Sequence, residues 1–385
     1  MKIDKNGLNP VAIERLNASI QRDIESGVNI GASIIVARGG EIAHAQQFGV
    51  AAPDRSSKAD DRYLMMSLSK SFTAALVLMA IDEGRFALNT KVVDLLPEFG
   101  ALGKQNITIH MLLTHTGGTY AGLAPLPGMS LADIGNLEKL TAALCAQPVA
   151  FTPGSRCHYN SFGGICLLGQ ILVLTDPKKR SFAKIAREDL FEPLGMTDMH
   201  FGNSENDPRR VPVSFGDRYT GPSNAGVVAV LTAPMNGELC EVPAGNAFGT
   251  TMDVYRFTQL IRGRGTANGH RLISPALFDY AAKNHTGTML NDAWDFECVA
   301  RQIPPMVANF SLLGGYARGE GHSITAMGYS ASNRAVCAVG GGSTMWMFDP
   351  ERDLSFVFLS AGLVEGLAHL ERLSRLSDLA LAACD

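Results

Sequence analysis

"GASIIVARGGEIAHAQQFGVA", residues 31–51, sets two apolar, β-branched runs on either side of Arg38-Gly39-Gly40. Glycines tolerate the positive φ of a tight turn, so the stretch reads as two strands of an antiparallel hairpin. Similar runs return only near the other end of the chain: "RAVCAVG" (334–340), "TMWMFD" (344–349) and "LSFVFLS" (354–360). Residues 10–27 have helical periodicity with a stop at Gly27, and a last helix is expected over about 365–383. Between Gly84 and Thr250 the chain reads as helical pieces broken by Gly and Pro. The expected fold is therefore α/β (α+β). One antiparallel sheet is built from both chain ends and flanked by helices, with a mainly helical region inserted. Residues 1–85 and 250–385 would form the sheet part, residues 86–249 the helical part, and a site would lie between them.

The 385 residues are enough for a large core; 46% are hydrophobic and 18% charged, as in a well-buried globule. With a net charge of −4 and no basic block beyond "DPKKR" (176–180), the composition argues against nucleic acid or an anionic membrane as partner. The opening "MKIDKNGLNP" carries no apolar run of the signal-peptide kind, and the longest apolar runs are too short for a bilayer. Seven cysteines, singly scattered and odd in number, fit reduced thiols. The expectation is a cytoplasmic protein whose partner is a small molecule, its oligomeric state left open. His110 and His115 are five apart and no C-x-x-C occurs, so no metal is expected. "GGGST" lacks the lysine of a phosphate loop, so no nucleotide site is expected there, and no cofactor is expected for the chain.

Chemistry enters at "SLSKSFTA" (67–74). On a helix, Ser67 and Lys70 share a face, and no charge follows until Asp82. A serine beside a desolvated lysine at a helix start has the parts of a nucleophile: a proton acceptor, and free amides for an oxyanion. Spacing alone does not decide between this and Ser67 as a cap with Lys70 reaching solvent. Roughly one Ser-x-x-Lys is expected by chance in a chain this long. A second one is present, Ser181 to Lys184, among Lys178, Lys179, Arg180, Arg187 and Glu188. There a solvated helix with Ser181 as its cap is the expectation.

Six further segments accompany "SLSKSFTA" in order: "VVDLLPEF", "ITIHMLLTHTGG", "PGSRCHYNSFGGICLLGQIL", "LFEPLGMTDMHF", "GNAFGTTMDVYRFTQLI" and "VGGGSTMWMFDPERDLSFVFLS". Together they resemble the serine β-lactamase and penicillin-binding-protein superfamily, in particular its class C-like branch and the family VIII carboxylesterases. The resemblance implies Ser67 as acylated nucleophile, Lys70 as its partner and Tyr159 as proton shuttle. It also implies an oxyanion hole made by the amides of Ser67 and Gly341, with Asn160, Ser161, Gly340 and Trp346 close to substrate. His115 is expected to be structural, and some of the nearby methionines are expected to line an apolar pocket.

Two departures bear on substrate. The family's Tyr-x-Asn is here Tyr159-Asn160-Ser161, so serine stands at the asparagine position. Its Lys-Thr-Gly aligns with Ala338-Val339-Gly340, which offers no cation for a substrate carboxylate unless Arg156 or Arg318 supplies one. The expectation is a serine hydrolase, a carboxylesterase for small neutral or hydrophobic esters. An amidase, peptidase or transacylase with the same Ser-Lys-Tyr site is the alternative, and a catalytically silent binding protein is the alternative from another class.

Overall fold

The structure is a computed structural model describing residues 7–122, 126–203, 206–218, 226, 232–319 and 324–384. Helix α1 (Pro10–Glu25) begins where Asn9 accepts a hydrogen bond from the Val11 amide, and the chain leaves it through Gly27 at φ +74°. Strands β1 (Gly31–Arg38) and β2 (Glu41–Ala52) form the hairpin, with Gly39 and Gly40 both at positive φ. A short β3 (Arg55–Ser56) extends that edge, and β4 (Tyr316–Ala317), β5 (Val336–Gly340), β6 (Thr344–Asp349) and β7 (Leu354–Ala361) come from the far end of the chain. Their order in the sheet is β3-β2-β1-β7-β6-β5-β4, and every neighbouring pair is antiparallel. β1 and β7 pair along their whole lengths, from Gly31 opposite Ala361 to Arg38 opposite Leu354. The two chain ends are thus joined in one sheet.

Both faces of this sheet are covered. Leu354, Phe356 and Phe358 of β7 point into one core with α1 and the last helix, α5 (Gly366–Leu381). Val357 and Leu359 point into the other, shared with α2 (Ser69–Asp82), α3 (Gly163–Leu174) and α4 (Thr251–Arg262). Every residue of α2 from Ser69 to Ala80 is buried, which is why this helix carries apolar residues all round. Among the described residues, no helix is long and apolar enough to cross a membrane.

Residues 86–249 are mostly short helices and turns, tied to the rest by a small sheet. In it Tyr63–Leu64 and His200–Phe201 both pair with Ala247–Gly249. Two local readings change. Ser67 lies in a single 3₁₀ turn, Met66–Leu68, and α2 proper begins at Ser69. Ser181 does cap a helix, its hydroxyl 3.4 Å from the Lys184 amide, but the run around it is not simply solvated. Arg180 is buried, donating to Asp176, Glu188 and Asp189, because three carboxylates replace its water.

Candidate active site

Met66 has φ +48°, a conformation uncommon outside glycine, and it swings the chain sharply from the Tyr63–Leu64 strand into α2. The turn is clamped at Met65, whose amide donates to Ala247 O (2.8 Å) and whose carbonyl accepts from Thr344 Oγ1 (2.9 Å). Ser67 follows directly. Its Oγ lies 2.9 Å from Lys70 Nζ and 2.7 Å from Tyr159 Oη. Lys70 is 1% exposed, and its Nζ also donates to the carbonyls of Ser161 (2.8 Å) and Ala244 (3.0 Å). Main-chain oxygens therefore stand where water would surround an exposed ammonium.

Tyr159 is fixed by its surroundings. Its amide donates to Asn291 Oδ1 (3.0 Å), and its ring lies near those of His115 (4.9 Å) and Phe310 (6.1 Å), with Lys70 Nζ 5.3 Å from the ring centre. His115 accepts the Asn160 amide on Nδ1 (3.1 Å). Burial first, and the Lys70 charge after it, push the His115 pKa down to about 3, which keeps that acceptor nitrogen unprotonated. It supports the turn that carries Tyr159.

The other sequence-predicted residues divide. Ser161 lines the cavity beside Lys70, and so does Gly341. Asn160 does not: it is buried, its Nδ2 donating to Thr119 and to Tyr120 O while its Oδ1 accepts the amides of Phe162 and Gly164. It ties the Tyr159 turn to a neighbouring loop and has no capacity left for substrate. Gly340 is no wall residue either. A Cβ there would sit 2.1 Å from Met65 O, so its bareness admits the protein's own Ser67 turn rather than a ligand. Trp346 is completely buried and donates to Ser71 Oγ (3.2 Å), because alternation along β6 turns it into the core beside Phe257. Ala244, Asn291 and Phe310 went unread in the sequence; a main-chain carbonyl and two distant supports leave no local signal.

The cavity has a volume of about 490 Å³ and draws its walls from the sheet part and from residues 86–249. Met66, Phe162, Met235, Phe310, Leu363 and Leu370 make much of it apolar. Among the described lining residues Lys70 is the one lysine, and arginine is absent. Arg156 binds Asp292 (3.2 Å) and covers the Phe151 ring, while Arg318 donates to Gly319 O (3.0 Å); neither lines the cavity.

Comparison with known proteins agrees with this architecture. The family profile described as Beta-lactamase matches residues 16–379. Esterase EstB of Burkholderia gladioli is 30% identical over 277 residues, 64% of this chain and 69% of that protein. Protein flp of Staphylococcus aureus is 26% identical over 207 residues, 52% of this chain and 41% of that protein. Among solved structures, a penicillin-binding protein homologue from Caulobacter crescentus superposes with a TM-score of 0.77 at 23% identity, covering 98% of this chain and 99% of its own. A family VIII carboxylesterase does so with 0.74 at 20% identity, covering 99% of each chain. The profile spans all but the two ends of the sequence, and the chain belongs to the beta-lactamase family.

Proposed function

We propose that the protein is a serine hydrolase that forms an acyl-enzyme on Ser67, and that it is a carboxylesterase acting on small neutral or hydrophobic esters. One observation carries this reading. Ser67 Oγ lies between Lys70 and Tyr159 on an apolar cavity whose described walls hold no second lysine or arginine. As Oγ attacks the ester carbonyl, its proton passes to whichever of Lys70 and Tyr159 enters the step deprotonated, as free amine or phenolate, and the pair shares that proton afterwards. The oxyanion is received by the amides of Ser67 and Gly341. The alkoxide then departs with a proton from Tyr159. Water attacks the acyl-enzyme over the same pair, giving up a proton as Ser67 regains one. A penicillin-like carboxylate would meet no guanidinium in the described walls, so a neutral ester loses less on entry. Thiols at Cys145, Cys157, Cys166, Cys298 and Cys337, all buried, support a reducing, cytoplasmic setting.

The test is a substrate panel. p-Nitrophenyl acetate and butyrate should be cleaved with kcat/KM well above that for nitrocefin or a p-nitroanilide. A nitrocefin or anilide value exceeding that of every ester would overturn the esterase reading in favour of an amide-cleaving one.

A further inference from the structure

Beside Tyr159 in the chain, His158 lines the same cavity, and its Nδ1 lies 2.5 Å from Asp292 Oδ1. An ionised carboxylate only accepts, so the proton of that bond belongs to Nδ1, and a ring that carries this one proton has its lone pair on Nε2. Asp292 is itself held. Arg156 Nη1 takes its other oxygen at 3.2 Å, and its amide donates to Cys157 O at 3.2 Å. These contacts hold the carboxylate against Nδ1, and the carboxylate sets the tautomer and the direction of the imidazole. The His158 side chain is 37% exposed, and no described residue donates a hydrogen bond to Nε2. In a cavity lined largely by apolar groups, an acceptor held in a fixed direction discriminates between ligands.

We propose that His158, with its tautomer set by Asp292, is a substrate-recognition residue. Its Nε2 accepts a hydrogen bond from a hydroxyl or N–H group carried by the ester, and esters bearing such a donor are the preferred class. This rests on the esterase reading and narrows it. A ligand that presents only an acceptor at that point leaves the imidazole lone pair facing a lone pair.

Matched p-nitrophenyl esters test it: phenylacetates carrying hydroxyl or methoxy at the 3- or 4-position. The wild-type protein should prefer a hydroxyl ester over its methoxy partner by at least ~10-fold in kcat/KM. His158→Phe should bring that ratio to about one, while His158→Gln, whose amide oxygen can accept, should restore part of it. Asp292→Asn is the sharper variant. Arg156 continues to draw the side-chain oxygen, so the new amide nitrogen faces Nδ1, the ring proton moves to Nε2, and the ratio should fall to about one with the imidazole still in place, because hydroxyl and methoxy oxygens both accept from that proton. Merely structural roles for His158 and Asp292 would lower all rates together and leave the ratio alone. Ester cleavage with a ratio near one in the wild-type protein, or a ratio unchanged by His158→Phe, overturns the proposal and leaves the esterase reading standing. Failure to cleave any ester overturns the esterase reading first and this proposal with it.

Discussion

Two Ser-x-x-Lys runs occur in this chain, and burial is what separates them. Lys184 is 53% exposed and reaches toward Glu188, while Lys70 is 1% exposed and, among the described residues, donates to Ser67 and two carbonyls rather than to a carboxylate. A hydroxyl held between a buried amine and a phenol is a better candidate for acylation than one occupied at a helix cap. Labelling with a fluorophosphonate should therefore be lost in Ser67→Ala and kept in Ser181→Ala, as read by intact-protein mass spectrometry. Lys70→Ala and Tyr159→Phe should each lower kcat by at least ~10²-fold, the usual range for a positioned acid or base. Both act on one oxygen, so the double variant should lose little more than either single one. A double loss equal to the product of the singles would show that they work independently.

At the scale of elements, the reactive serine depends on how the end of β5 meets the turn before α2. Thr344 and Gly340 touch the same Met65 carbonyl, one by donating to it and the other by offering no side chain. A Cβ at Gly340 would press on Met65 O at 2.1 Å and on Thr344 Oγ1 at 2.3 Å; one at Gly341 would meet nothing within 4 Å. Gly340→Ala should thus lower both Tm and kcat, because the backbone oxygen cannot move without shifting Ser67. Gly341→Ala should leave Tm nearly unchanged, since substitutions without steric conflict stay within about 0.5 kcal/mol. Equal Tm values for the two variants would contradict this account of why β5 ends in glycine. The same comparison corrects one expectation: the resemblance puts Gly340 close to substrate, yet that glycine serves the protein's own packing.

For the molecule as a whole, stability at low pH should pass through Asp176. Its carboxylate is fully buried against Arg180, and the hydrogen bonds from that guanidinium hold its pKa down at about 2. An unfolded aspartate titrates near ~3.9, so this contribution is complete above about pH 4 and is lost as pH falls toward 2. Asp176→Asn should accordingly lower Tm clearly at pH 6, and by progressively less as pH falls below 4. A difference in Tm that stayed constant over that range would remove Asp176 from the acid response. "DPKKR" reads as exposed charge because composition does not show that three carboxylates converge on Arg180.

The sequence by itself determined the elements and their partnership. Periodicity, turn glycines and caps act over a few residues, and they mark α1, the β1–β2 hairpin, the three long strands near the other end and α5. With the motif order they also pointed to Ser67, Lys70 and Tyr159. Tertiary structure alone decided what surrounds those residues. Ala244 lies 174 positions from the lysine it caps, Asn291 lies 132 from the tyrosine amide it holds, and Asp292 lies 134 from His158. Nothing local in composition or spacing encodes such pairings. It also decided that Trp346 and Asn160 belong to the interior and that Met66 takes a strained φ, because burial and backbone strain are set by what packs against a residue.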